Sequence, residues 1–264
     1  MVATSSMIVM GCMILFSIAV PVILGIVLWK KYKTAFPVFF IGCATFVLFA
    51  LILEQILHAI VMASPAGDFI FGNTIATAIY GGLAAGIFEE TGRFLAMKKL
   101  LKKYYPNPHN ALMFGAGHGG IEMIMVFGIT MVNNLAYSVT INSGQMESVI
   151  AAVPAAQQGQ IRSVIDQLIA VQPGTLLAGG FERISAVLLH LAFSVLVWTA
   201  VTKGKTMLYP LAILCHALVD GLMVIIVGIG FSAAVLEILI FAMAVAVAVL
   251  AFFVWKKILT ADEG

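Results

Sequence analysis

The sequence predicts an all-α protein, one polytopic bundle of about seven transmembrane helices, and three observations carry that expectation. Of its 264 residues, 62% are hydrophobic and only 10% charged, far from the roughly 25% charged content of soluble domains. Apolar runs of about 20 residues recur along the chain, long enough at 1.5 Å per residue to cross about 30 Å of hydrocarbon. The lysines fall in alternate connections between those runs, as the bias of positive charge toward cytoplasmic loops requires.

The first run, residues 7–29, follows MVATSS. It lacks a basic leader and exceeds the apolar core of a signal peptide, so it reads as a retained span. Lys30, Lys31 and Lys33 close it. The second run is 36–62, with Glu54 and His58 inside it. The third, 73–97, holds Glu89, Glu90 and Arg93 and ends at Lys98, Lys99, Lys102 and Lys103. The fourth, 110–133, carries His118 and Glu122. After the connection 135–175, the fifth run spans 176–201 with Glu182, Arg183 and His190, and is followed by Lys203 and Lys205. The sixth, 207–229, contains His216 and Asp220. The seventh, 232–255, contains Glu237 and ends at Lys256 and Lys257. The other connections hold Asp68, Glu147, Arg162 and Asp166. This alternation places the N-terminus outside and the C-terminus in the cytoplasm of a cell membrane, a bacterial plasma membrane on the resemblance drawn below.

No hydrophilic stretch is long enough for a second domain, so residues 1–264 read as one transmembrane domain with one outer polar insertion at 135–175. That insertion is rich in Ala, Gln, Ser and Gly, with Pro154 and Pro173 as breakers. Within it Ile161, Val164, Ile165 and Leu168 recur at helical spacing. They predict a short surface helix or, alternatively, a lid over an outward-facing cavity. A net charge of +2 with dispersed lysines excludes a nucleic-acid partner. Cys12, Cys43 and Cys215 show no metal-binding spacing and read as small core residues with free thiols.

The ionisable residues inside the spans are the informative feature, because a charge at mid-bilayer costs about 2.5 to 3.5 kcal/mol on insertion scales and needs a partner or a purpose. Counting from each lysine-side end places Glu89 and Glu90 about 12 to 14 Å deep, His118 about 12 Å and His216 about 14 Å. His190, Glu122 and Asp220 come out nearer the middle. Four-residue spacing puts Glu54 with His58, Glu89 with Arg93, His118 with Glu122, and His216 with Asp220 on common faces. Self-neutralising pairs that lock helices together would explain some of these. They do not explain two adjacent acids and two imidazoles at one depth. Gly81, Gly82, Gly86 and Gly92 in the third span, with Gly115, Gly117, Gly119 and Gly120 in the fourth, predict close contact between these two spans, which would bring Glu89 to His118.

EETGR at Glu89–Arg93, FGAGH at Phe114–His118, the isolated His190 and HALVD at His216–Asp220 together resemble the motifs of the CAAX-protease and bacteriocin-processing superfamily of intramembrane proteases. HGGIE at His118–Glu122 and FER at Phe181–Arg183 make the chain similar to the YhfC family of membrane peptidases within it. The resemblance covers about half the chain. It implies a glutamic-type endopeptidase with no obligatory cofactor, acting on a membrane-associated protein or peptide in a lipid setting. Glu89 with His118 would activate water, and His216 and Asp220 would line the oxyanion site. Glu90 and Arg93 would orient the base, and the two glutamates would share protons as a unit. His190 and Glu122 would support the site.

Three other readings remain open. Glu89, His118, His190 and His216 offer N and O ligands for a zinc-dependent intramembrane metalloprotease, although no HExxH is present. Intramembrane Glu, His and Asp also suit a proton-coupled transporter, or a scaffold that binds membrane partners without catalysis.

Overall fold

The structure, a computed structural model, describes residues 1–259, and no strand occurs among them. The long helices are α1 (Thr4–Tyr32), α2 (Phe36–Met62), α4 (Thr74–Leu100), α5 (Asn110–Asn142), α8 (Pro173–Thr202), α9 (Leu208–Ile229) and α10 (Ala234–Leu259). Shorter helices are α3 (Pro65–Phe71), α6 (Met146–Ala151) and α7 (Ala155–Ala170). Local chemistry marks the ends. Pro37 opens α2, where a missing N–H costs nothing. The Asn73 side chain accepts from the Ala76 N–H at 3.0 Å to cap α4. Gly230 adopts φ 85° to close α9, a left-handed conformation that suits glycine. Lys30 and Lys31 in the last turn of α1, and Lys98 and Lys99 in that of α4, complement the negative helix ends.

Six of these helices are long and apolar enough to span a membrane, and a seventh counts if α3 and α4, bent by 107° at Gly72–Asn73, make one span. The exception is α4, and the reason is its cargo of Glu89, Glu90, Arg93, Lys98 and Lys99. The fourth helix runs on to Asn142, so residues 135–142 belong to it, and α6 and α7 occupy the rest of the segment before α8. Exposed apolar side chains such as Leu15, Phe40, Ile79, Leu214 and Phe252 cover the outer faces, a surface suited to lipid rather than water.

The chain divides into two compact units. The first comprises Met1–Val20 and Met123–Arg183. Its core holds Val2, Met10, Met13, Phe127, Met131, Leu168 and Leu176. Asn142 ties the first residues down by accepting from the Val2 N–H at 2.8 Å and donating to the Val2 carbonyl at 3.0 Å. Ser6 donates to the Val171 carbonyl at 2.9 Å. Here too Arg162 forks onto Glu147, with two N–H groups each 2.9 Å from a carboxylate oxygen. That bond and the nearby positive charge hold the Glu147 carboxyl below the usual carboxylate range.

The second unit comprises Pro21–Glu122 and the chain from Ile184 onward. Its part of α8 is buried on nearly every face, with Phe193, Leu196, Val197 and Trp198 at its heart, as expected for a helix apolar all round. Glycines set the helix pairing, but not as the sequence suggested. A Cβ at Gly82 would collide with the Ala217 carbonyl of α9, and one at Gly117 with the Phe39 carbonyl of α2. The tight pairs are therefore α4 with α9 and α2 with α5, whereas the sequence pointed to the third and fourth spans against each other. Small residues predict close approach but do not name the partner.

Candidate functional site

All the predicted site residues belong to the second unit. Helix α4 supplies Glu89, Glu90 and Arg93; α5 supplies His118 and Glu122; α8 supplies His190; α9 supplies His216 and Asp220. Adjacent residues on a helix diverge by about 100°, so Glu89 and Glu90 serve different neighbours. Each has its own imidazole. His118 Nε2 donates to Glu89 Oε2 at 2.9 Å, and His216 Nδ1 donates to Glu90 Oε1 at 2.8 Å. The Glu89–His118 meeting inferred from the glycines is present, although the reach comes from long side chains rather than from backbone contact.

Arg93 is fully buried and organises half of the cluster. Its Nε donates to Glu90 Oε2 at 2.8 Å and its Nη2 to Oε1 at 3.3 Å. The same Nη2 lies 3.1 Å from His190 Nδ1, and Nη1 donates to Ser194 Oγ at 2.7 Å. The helical spacing had paired Arg93 with Glu89; its counter-charge is Glu90, three residues away rather than four. Glu122 likewise contacts His190 Nε2 rather than His118. A switch to wider turns over Met123–Gly128 begins at the next residue, and such π-helical segments often occur at functional sites. His216 and Asp220 keep the predicted pairing, with Nε2 to Oδ2 at 3.4 Å.

The rings converge. His118 and His190 centroids are 4.9 Å apart, and His190 and His216 are 5.8 Å apart. Phe193 stacks on His216 at 4.8 Å and Phe46 meets His118 edge-on at 5.3 Å, which gives the imidazoles apolar walls. The Asp220 side chain is 42% exposed and opens the cluster on that side.

One set of groups suits a metal ion. One donor atom each from Glu89, His118 and His190 lie within 4.8 Å of one another, and all three residues are buried. One carboxylate and two imidazoles are a donor set that zinc peptidases use. The His118 nitrogen beside Glu89 is Nε2, so an ion there would replace that hydrogen bond, while Nδ1 is buried without a hydrogen-bond partner. Each nitrogen of His190 faces another group, Arg93 on Nδ1 and Glu122 on Nε2, so the ring would exchange one of them for an ion. His216, counted among the four ligands for the zinc reading, is not part of this compact set, and Glu90 and Asp220 take its two nitrogens.

Ser194 escaped the sequence reading, although its place four residues after His190 puts it on the same face of α8. Glu54 and His58 do pair, at 3.2 Å. The hydroxyl of Tyr80, 2.8 Å from His58 Nδ1, ties α2 to α4 there. Glu182 and Arg183 belong to the first unit and pair with each other.

Residues 16–249 match the profile of the YhfC intramembrane metalloprotease family. A curated relative, "Uncharacterized membrane protein YhfC" of Bacillus subtilis (strain 168), is 34% identical over 202 residues, covering 74% of this chain and 76% of its own length. No solved structure matches. A profile that spans five of the seven predicted runs in full and part of the other two, and a relative sharing a third of its residues over most of both chains, leave one conclusion: this multi-pass membrane protein belongs to the YhfC intramembrane metalloprotease family.

Proposed function

We propose that the chain is a metal-dependent intramembrane endopeptidase, with Glu89, His118 and His190 as the residues that would hold a zinc-type ion. The observation that carries this reading is the convergence of those three donor atoms within 4.8 Å, and the family's description as a metalloprotease supports it. This turns the emphasis of the sequence reading, which put a metal-free glutamic mechanism first and zinc second. When bound, the ion would act as a Lewis acid toward a peptide carbonyl and make water a nucleophile near neutral pH.

The protein's own groups have separable tasks. Glu122 holds His190 through Nε2 and sets the ring's orientation, as outer carboxylates do for metal-binding histidines. Arg93 and Glu90 neutralise each other and fix α4 against α8 through Ser194 and against α9 through His216. His216 is anchored at Nδ1, while its Nε2, only 3.4 Å from the partly exposed Asp220, carries a second N–H in the imidazolium form and could then donate to a substrate carbonyl. That arrangement removes the need for Asp220 itself to donate to an oxyanion, a task an ionised carboxylate cannot perform. The substrate class is a membrane-associated protein or peptide, reached within the lipid bilayer of a bacterial plasma membrane.

A metal-free reading has one observation in its favour, the 2.9 Å hydrogen bond between His118 and Glu89, which is the geometry of a general-base pair. Metal analysis of the purified full chain separates the two. The proposal expects about one zinc per chain, lost in His118→Ala and His190→Ala, with cleavage of a membrane peptide abolished by chelation and restored by zinc. Glu122→Gln should weaken metal affinity roughly 10- to 100-fold. Cleavage that persists in metal-free protein and vanishes only in Glu89→Gln would overturn the metal reading and leave the glutamic one.

A further inference from the structure

Within the second unit a groove of about 350 Å³ runs between α5, α8 and α10. Its walls are apolar, built from residues such as Leu112, Leu188, Leu191, Val195 and Phe252. One end is framed by three rings. Tyr32 stacks on His109 with centroids 4.5 Å apart, and His109 meets Trp255 edge-on at 5.0 Å. These contacts bring the C-terminal ends of α1 and α10 together, and with them their lysines. Lys31 Nζ sits 5.3 Å above the Tyr32 ring, while Lys256 and Lys257 follow Trp255 directly. All three ammonium groups are exposed, and no carboxylate forms an ion pair with them among the described residues.

We propose that this groove is a binding site for an anionic phospholipid, with an acyl chain along the α5/α8/α10 walls and the headgroup phosphate on Lys31, Lys256 and Lys257. An apolar slot offers an acyl chain what it needs and offers a peptide backbone almost no polar partner. Aromatic rings at one end mark the level where chain gives way to headgroup, the depth at which Trp and Tyr settle in bilayers. The charge at that end selects among lipids, because each lysine near an anionic surface contributes about 1 kcal/mol of attraction. A second copy of the chain is a poorer occupant. Two-fold pairing across the groove would set the lysines of both copies face to face without counter-charge. A transmembrane segment of another protein would fill the slot but leave the lysines unmatched. The inference does not depend on the proposed peptidase activity, since none of the groove residues is a candidate ligand or acid–base group.

Trp255 provides the readout. The full chain carrying Trp29→Phe is placed in phosphatidylcholine vesicles that contain increasing fractions of either dibrominated phosphatidylglycerol or dibrominated phosphatidylcholine, and tryptophan quenching is followed. Trp198 is fully buried, so the response reports Trp255. The expected result is half-quenching at a mole fraction of the anionic brominated lipid lower by at least roughly fivefold, the factor that about 1 kcal/mol from a single lysine gives. Replacing Lys31, Lys256 and Lys257 together by Gln should erase that preference. Ala248→Phe, which fills the groove, should reduce quenching by both lipids while far-ultraviolet circular dichroism and elution volume stay unchanged. Equal half-points for the two lipids would reduce the groove to ordinary boundary-lipid contact and overturn the proposal. A preference that survives the triple replacement would do the same, as would a Trp255 that resists quenching in a particle of doubled mass.

Discussion

Two arginine–glutamate pairs, one in each unit, have nearly the same hydrogen-bond pattern and opposite significance. Arg162 forks onto Glu147 with two equal bonds of 2.9 Å, and the side chains remain 52% and 73% exposed. Arg93 grips Glu90 with a less even pair of 2.8 and 3.3 Å, yet both side chains are fully buried. The better-shaped pair matters less. Solvent and salt screen the first, whereas the second sits where each ion must be neutralised and every remaining donor bonded. Arg93 meets that condition with bonds to Ser194 and His190, and Glu90 with a bond from His216.

The largest expected effect tests that contrast. Arg93→Met leaves Glu90 buried without a counter-charge and should cost about 3 to 5 kcal/mol, visible as a lowered unfolding midpoint in detergent. Adding Glu90→Gln should recover part of the loss, because the orphaned charge goes with it. Arg93→Lys should fall between, since an ammonium cannot reproduce the fork. An Arg93→Met protein that melts with the wild type would remove the claim that this pair holds the site.

Helix glycines sharpen the comparison at an intermediate scale. Gly117 of the second unit lies against the Phe39 backbone, while a Cβ at Gly11 of the first unit meets nothing within 4 Å. Gly117→Ala should destabilise by about 1 to 3 kcal/mol through overpacking. Gly11→Ala should be neutral or stabilising by up to about 1 kcal/mol, the ordinary helix preference. Equal effects of the two substitutions would mean that α2 and α5 are not in backbone contact.

The smallest effect belongs to the exposed pair. Arg162→Gln should leave the unfolding midpoint unchanged, while the Glu147 carboxyl, freed of the guanidinium, titrates at higher pH, as carboxylate NMR shifts would show. The sign follows from its lowered folded pKa: whatever the pair contributes is present above the carboxyl's unfolded pKa, about 4.3, and fades as pH falls through the folded one. A midpoint that drops sharply in this variant would place the pair among structural contacts after all.

Much of the architecture was legible in advance because its causes are one-dimensional. Hydropathy located the spans to within a few residues at most ends, and the failures are physical. Residues 135–142 are too polar to extend an apolar run, but their backbone bonds continue α5 to Asn142. The candidate site was legible as a set of residues, since ionisable groups are too costly in hydrocarbon to occur there without cause. It was not legible as a set of pairs. Four-residue spacing matched Arg93 to Glu89 and Glu122 to His118, whereas the folded chain gives Glu90 to Arg93 and His190 to Glu122. Ser194 is a further case, a serine unremarkable in sequence that receives an N–H from Arg93.

The sequence by itself determined that this chain lives in lipid, that its helices carry acids and imidazoles to one region of the bundle, and which family it belongs to. Composition, run length and motif order are properties of the chain alone. Tertiary structure decided which acid meets which base, that Glu89, His118 and His190 form the compact donor set while His216 is held apart, and which helices the glycines join. Those outcomes depend on helix rotation and on side-chain reach across a packed interface. A shift of one residue turns a helical side chain by about 100°, which no local pattern in the sequence records.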